Sequence, residues 1–100
     1  MWLFVFFDLP TETKKERKVY ARFRTDLRKD GFTMIQFSVY SRHCASLESA
    51  TSHIKRVEKL IPLKGHVSIL KITDKQYGEI INYWGKKEHP LESPNQLELF

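Results

Sequence analysis

Residues 4–10 read FVFFDLP and close an apolar run that begins at Trp2. An uninterrupted apolar stretch such as Trp2–Phe7 is typical of a strand that is covered on both faces at the centre of a sheet. The run ends on the carboxylate of Asp8, and Pro10 follows two positions later. A carboxylate at this point is either an ordinary turn residue or part of a site at the rim of the sheet.

The segment after this strand predicts a helix. Thr11–Thr13 offer N-caps, and Glu16 stands three residues after Thr13, as in a capping box. Gly31 is a typical helix stop. Between them, one set of apolar residues falls within an arc of about 100° on a helix and predicts a core-facing stripe. These residues are Val19, Tyr20, Phe23 and Leu27.

The middle of the chain predicts two short strands and a second helix. Residues 32–42, FTMIQFSVYSR, carry β-rich stretches centred near Ile35 and Val39 that form either a tight hairpin or one bent strand. Ser41 and Ser46 are candidate caps for the helix, which Pro62 and Gly65 end. Its apolar positions recur at helical spacing: Leu47, Ala50, Ile54, Val57 and Ile61.

The last elements are strands at residues 66–73, HVSILKIT, and 77–84, YGEIINYW. The predicted order is therefore β-α-β-β-α-β with an additional fifth strand, the α+β ferredoxin-like sandwich, with the first strand in the middle of the sheet. We expect one domain over residues 1–84. Residues 85–100 turn polar, charged and proline-containing, which predicts a flexible C-terminal tail.

Composition favours an anionic partner. The chain has 100 residues, a formal charge of +5 and a pI of about 9.4, which points to nucleic acid before a membrane surface. The apolar run at the start is too short to span a bilayer and lacks the features of a signal peptide. The single cysteine, Cys44, cannot form an internal disulfide and fits the cytoplasm, as a small buried or surface thiol.

Single-sign charge on the first helix marks a candidate phosphate-binding face, although a solvated face is the alternative. Phosphate contacts position a nucleic acid without reading its sequence. The residues predicted to bind nucleic acid are Lys14, Lys15, Arg17, Lys18, Arg24, Arg28, Arg42, Lys86 and Lys87. Asp8 is the candidate catalytic and metal-binding residue. One carboxylate is too little for Mg²⁺, but a two-fold axis would bring two together.

These features together resemble a known family. The strand FVFFD, the basic helix with Arg17, and GFTMIQFSVY at residues 31–40 are similar to the small CRISPR-associated adaptation protein, the second of its numbered series. The resemblance covers residues 1–83. It implies a ferredoxin-like homodimer that partners the CRISPR integrase and bridges its dimers on duplex DNA. It also implies a metal-dependent nuclease on RNA or duplex DNA, with one Mg²⁺ or Mn²⁺ between the paired Asp8 residues.

Two positions depart from the family's common pattern. Phe7 stands where a tyrosine often precedes the aspartate, and Ser41 stands where an acidic residue often follows the aromatic. The second difference removes an accessory carboxylate, which weakens the case for catalysis more than the case for binding.

Two other functions remain open. A stand-alone ribonuclease toxin of the same fold shares these features. An RNA-recognition motif shares the layout, and LFVFFDL and GFTMIQF are faintly similar to its two signatures. The second signature, however, belongs on the third strand of that motif, whereas here it directly follows the first helix.

The terminal QLELF predicts a docking motif. It resembles the pentapeptide with which bacterial proteins bind the replication sliding clamp, and an added edge strand or docking on the integrase are the alternatives. The residues expected to make the contact are Gln96, Leu97, Leu99 and Phe100.

Overall fold

The structure is a computed structural model that describes residues 1–91. Its elements up to the fourth strand follow the predicted β-α-β-β-α-β order, which confirms the fold class. In chain order they are β1 Trp2–Asp8, α1 Lys14–Lys29, β2 Thr33–Gln36, β3 Val39–His43, α2 Leu47–Leu60, β4 His66–Ile72, α3 Asp74–Gly78, β5 Tyr83–Trp84 and β6 Lys87–Glu88.

The main sheet has the strand order β2-β3-β1-β4 with antiparallel neighbours. The prediction that the first strand is central is confirmed, because β1 pairs with β3 on one side and β4 on the other. Strands β2 and β3 are separate and joined by a turn at Phe37 and Ser38, so the hairpin alternative is the correct one. Ser38 has a φ of 61° and is the only non-glycine residue among the described ones in the left-handed region.

One face of the sheet carries the helices and the main core. Leu3, Val5 and Phe7 of β1 point into it, and Cys44 is buried there as well. Burial raises the pKa of the Cys44 thiol. Helix α1 buries Tyr20, Phe23 and Leu27 of its predicted stripe, whereas α2 buries only Ala50 and Val57, with Ile54 partly buried beside them. The stripes are narrower than predicted, since Val19, Leu47 and Ile61 lie at their margins and are exposed.

Local caps fix where the helices begin. Thr13 accepts a hydrogen bond from the Glu16 backbone N–H at 3.1 Å, and Glu16 accepts one from the Thr13 N–H at 2.9 Å. This capping box confirms the predicted start of α1, and its hydrogen bond from Thr13 N–H holds the pKa of Glu16 below its usual value. Ser46 caps α2, whereas Ser41, the other candidate, is buried in β3.

The other face of the sheet is only partly covered, and we call it the open face. It carries Trp2, Phe4, Phe6 and Asp8 of β1, because side chains alternate along a strand. Tyr77 of α3 covers one end, where its ring stacks on Trp2 with centroids 3.7 Å apart. Toward the other end, Phe6 is 38% exposed.

The predicted strand over residues 77–84 is wrong for most of its length. Asp74–Gly78 forms a short helix because Thr73 and Gln76 make a second capping box. Only Tyr83–Trp84 is extended, and it pairs with Lys87–Glu88. The predicted domain boundary after residue 84 therefore falls inside this hairpin. Within residues 1–91, no helix has the length and apolarity needed to cross a bilayer.

Candidate nucleic-acid interface and metal site

Asp8 is the last residue of β1 and its side chain is exposed on the open face. Its direct cross-strand neighbour is His66, the first residue of β4. Opposite residues of an antiparallel pair lie on the same face with Cβ atoms about 5 Å apart, so a carboxylate and an imidazole share this corner of the sheet. The His66 Nε2 lies 3.2 Å from the hydroxyl of Ser68. Sequence reasoning missed His66, because the register between β1 and β4 depends on their pairing.

Tight packing holds the backbone at Asp8. Gly65 precedes β4 with a φ of 100°, a conformation that favours glycine. A Cβ atom on Gly65 would lie 2.9 Å from the carbonyl oxygen of Asp8 and 2.6 Å from the Leu9 side chain. The loop before β4 therefore fits against the end of β1 only with glycine at this position, and the packing holds the backbone from which the Asp8 side chain projects.

Arg17 connects this corner to the basic helix. Its Nη1 donates hydrogen bonds to the carbonyl oxygens of Thr11 at 3.1 Å and Glu12 at 2.9 Å. The guanidinium thus orders the loop between Asp8 and α1. The Arg17 side chain as a whole remains exposed. Among the predicted nucleic-acid-binding residues, Arg17 is the one whose side chain hydrogen-bonds to the loop that follows Asp8.

The exposed side of α1 carries free cations. Four cations of this helix are exposed and have no ion-pair partner among the described residues: Lys14, Lys15, Lys18 and Arg28. The acidic residues of this segment lie closer to the core: Glu16, Asp26 and Asp30 are all partly buried. The helix therefore presents uncompensated positive charge to the solvent, beginning directly after the Asp8 loop.

The remaining predicted cations are either partly buried or lie outside α1. Arg42 is half-buried on the helix side of the sheet, where it donates to the carbonyl oxygens of Asp30 and His43. It pairs across the sheet with Leu3, at the end away from Asp8. Arg24 is also half-buried.

Lys86 and Lys87 are exposed in the β5–β6 hairpin, not beside α1. The docking residues Gln96, Leu97, Leu99 and Phe100 lie outside the described residues, so clamp binding stays a prediction.

No group of three or more histidine, cysteine or acidic side chains within residues 1–91 is arranged to hold a metal ion. A single copy therefore offers the Asp8 carboxylate, with His66 beside it, as an incomplete site. A carboxylate oxygen is a ligand that Mg²⁺ prefers, and Mg²⁺ commonly takes only one or two carboxylates together with water and phosphate. The Asp8 carboxylate therefore fits such an ion when a second Asp8 or a phosphate supplies further oxygen ligands.

Comparison with known proteins decides the family. The family described as CRISPR associated protein Cas2 matches residues 1–80. The chain belongs to the Cas2 family. A Cas2 protein of Parvibaculum lavamentivorans is 58% identical over the full length of both chains. One from Flavobacterium psychrophilum is 50% identical over all of this chain and 88% of its own, and one from Paracidovorax avenae is 44% identical over all of this chain and 94% of its own. Each of these relatives is named a CRISPR-associated endoribonuclease.

The strand order of this Cas2 chain also weighs against the RNA-recognition motif. The segments similar to its two signatures lie on β1 and β2, and β3 separates these strands. Most of the aromatic residues in them are in the interior, as Phe4, Phe7 and Phe32 show. They therefore do not form one exposed surface on which bases could stack.

Phe7, one of the two departures from the family pattern, points away from Asp8. It lies on the helix side of the sheet, where its ring packs edge-on against Phe23 with centroids 5.0 Å apart. Ser41, the other departure, is buried on the open face opposite Phe4.

Proposed function

We propose that this Cas2-family protein is a homodimeric nucleic-acid-binding subunit of CRISPR spacer acquisition that also hydrolyses phosphodiester bonds, in RNA or duplex DNA, at Asp8. One observation carries the proposal. Asp8 ends β1 with an exposed carboxylate at the same corner of the sheet where α1 begins with its free cations. The endoribonuclease names of its relatives support the nuclease part.

The binding part rests on the charge of α1. Exposed lysine and arginine side chains without carboxylate partners attract phosphates and release counterions from them, so affinity falls steeply with salt and depends little on sequence. Lys14 and Lys18 are one helical turn apart and exposed on this surface. A dimer would present two such helices related by a two-fold axis, which matches the two-fold pseudo-symmetry of a duplex.

The dimer part rests on the open face. Leu70 is 47% exposed and Phe6 is 38% exposed, and they lie close together on the two adjacent strands β4 and β1. Burying such residues against a second copy is favourable at about 25 cal/mol per Å² of apolar surface. Asp8 lies on the same face, so an isologous interface there would bring the two Asp8 residues toward the axis.

Two carboxylates at the axis repel each other unless a cation lies between them. We assign Mg²⁺ or Mn²⁺ to that position, held by the paired Asp8 side chains. Such an ion, when bound, neutralises phosphate charge and makes water a better nucleophile. The chain's own part is to position the backbone that carries each carboxylate through the Gly65 packing, and to hold the phosphate backbone through α1.

Bridging of the CRISPR integrase completes the proposal. An integration assay with the cognate integrase, a short duplex and a repeat tests it. We expect wild type to stimulate insertion and the Lys14→Gln/Lys18→Gln variant to stimulate it less, because fewer phosphates are held. If neither protein stimulates insertion, the scaffold role fails, and a stand-alone ribonuclease becomes the better account.

A further inference from the structure

Phe37 is the most conspicuous side chain that the proposed function leaves unused. It occupies the turn between β2 and β3 and is 78% exposed. An isolated exposed apolar residue on a protein surface is common. Phe37 differs from that ordinary case in how firmly it is held and in where it lies.

The turn that carries Phe37 is fixed by three contacts. The ring of Phe37 lies on the ring of Tyr20, with centroids 5.9 Å apart and an angle of 23° between the planes. The Tyr20 hydroxyl is 2.8 Å from the Ser38 hydroxyl. The carbonyl oxygen of Ser38 accepts a hydrogen bond from the Phe7 N–H at 3.1 Å. One face of the Phe37 ring is therefore held against α1, and much of the rest is open to solvent.

The position of Phe37 relates it to both parts of the proposed function. Through Phe7, the turn is attached to the residue directly before Asp8. Through Tyr20, it is attached to α1, where Arg17 and Arg24 lie one turn away on either side of Tyr20. The contact with α1 also places Phe37 on the helix side of the sheet. An interface between two open faces would therefore leave it uncovered.

We propose that Phe37 stacks on the base of an unpaired nucleotide whose backbone is held by α1 and passes Asp8. A rigid aromatic face beside cationic side chains is how proteins bind single strands, since every base has a π-face. Bases of a duplex are already stacked on their neighbours and offer no free face. Phe37 would thus be a specificity-determining residue that favours unpaired RNA or DNA over duplex. This inference rests on the proposed binding by α1.

The test compares binding of a single-stranded oligonucleotide and a duplex of the same sequence, by fluorescence anisotropy, at several salt concentrations. Phe37→Ala is the main variant, and Phe37→Trp restores an aromatic ring. Leu47→Ala is the matched control, because Leu47 is also exposed but begins α2, which follows the end of β3 far from Asp8.

We expect Phe37→Ala to weaken single-strand binding by about fivefold to a hundredfold, to leave duplex binding unchanged, and to leave the salt dependence unchanged because no charge is removed. Phe37→Trp should bind single strands at least as tightly as wild type, and Leu47→Ala should match wild type. Equal weakening on both nucleic acids, or no weakening on either, overturns the role of Phe37. So does loss of the dimer in Phe37→Ala by light scattering, which would place the ring in a subunit contact.

The outcome for Phe37 is separable from that of the proposed function. If Lys14→Gln/Lys18→Gln binds both nucleic acids as tightly as wild type, the binding by α1 itself is wrong. If that variant is weakened and Phe37→Ala is not, the proposed function stands and only the stacking role is rejected.

Discussion

Asp8 and His66 face each other across the last register position of the β1–β4 pair, on the open face of the sheet. A carboxylate and an imidazole in this arrangement are compatible neighbours. Two carboxylates directly opposite each other would be destabilising. The pair therefore offers a way to detect the proposed metal without measuring catalysis.

His66→Asp should lower the thermal stability in the absence of divalent ions and make it strongly dependent on them. The added carboxylate raises the charge repulsion at the corner and supplies another oxygen ligand, so Mg²⁺ or Mn²⁺ should restore the melting temperature by binding the native state. Melting curves with and without millimolar Mg²⁺ measure this. His89→Asp, at another exposed histidine in the hairpin region, is the control. If the melting temperature of His66→Asp does not change when Mg²⁺ is added, the result would argue against a metal at Asp8.

The cations of α1 should contribute measurably to the salt dependence of DNA binding. Replacing Lys14 and Lys18 by glutamine should reduce the slope of log K against log salt by about 0.9 for each phosphate that the helix no longer neutralises. Lys55→Gln/Lys59→Gln removes two exposed lysines with the same spacing from α2 and should leave the slope unchanged. The same reduction in both variants would mean that net charge, not the α1 face, governs binding.

Leu70→Lys should convert the dimer to a monomer, because it places a charge in the middle of the open face that a second copy is proposed to cover. Light scattering coupled to size-exclusion chromatography measures the mass. Leu63→Lys is the control, since Leu63 is fully exposed in the loop before β4. A Leu70→Lys protein that remains dimeric would place the interface elsewhere.

Two tyrosines should respond oppositely to the same substitution. Tyr40 is fully buried, and its hydroxyl has no hydrogen-bond partner among residues 1–91. Tyr40→Phe removes the cost of burying that hydroxyl and should raise the free energy of unfolding by about 1 kcal/mol. Tyr20→Phe breaks the bond to Ser38 and should lower it by about 1 kcal/mol. Urea titrations measure both, and destabilisation by Tyr40→Phe would reveal a partner for its hydroxyl.

Local patterns were enough to predict most of the fold. The apolar run Trp2–Phe7 identified the central strand because its side chains are apolar on both faces, so apolar and polar residues do not alternate along it. Thr13 and Glu16 identified the start of α1 because a capping box involves only neighbouring residues. Thr73 and Gln76 form the same pattern, but the prediction did not use it and placed a strand over residues 77–84, so the helix Asp74–Gly78 was missed.

Long-range contacts were not predictable in the same way. Asp8 could be identified because it ends an apolar strand, but its neighbour His66 depends on the register between strands separated by most of the chain. Arg42 was predicted to bind nucleic acid together with the cations of α1. Its hydrogen bond to the Asp30 carbonyl oxygen depends on how β3 packs beside the end of α1.

The most direct test of the account is cleavage of a labelled RNA in Mg²⁺ by wild type and Asp8→Asn, with dimerisation and RNA binding measured on both proteins. Asparagine keeps the size of the side chain and removes the charge that would hold the ion. We expect wild type to cleave the RNA, EDTA to stop the cleavage, and Asp8→Asn to bind RNA and dimerise without cleaving. Equal cleavage by the two proteins would contradict the assignment of the nuclease site to Asp8.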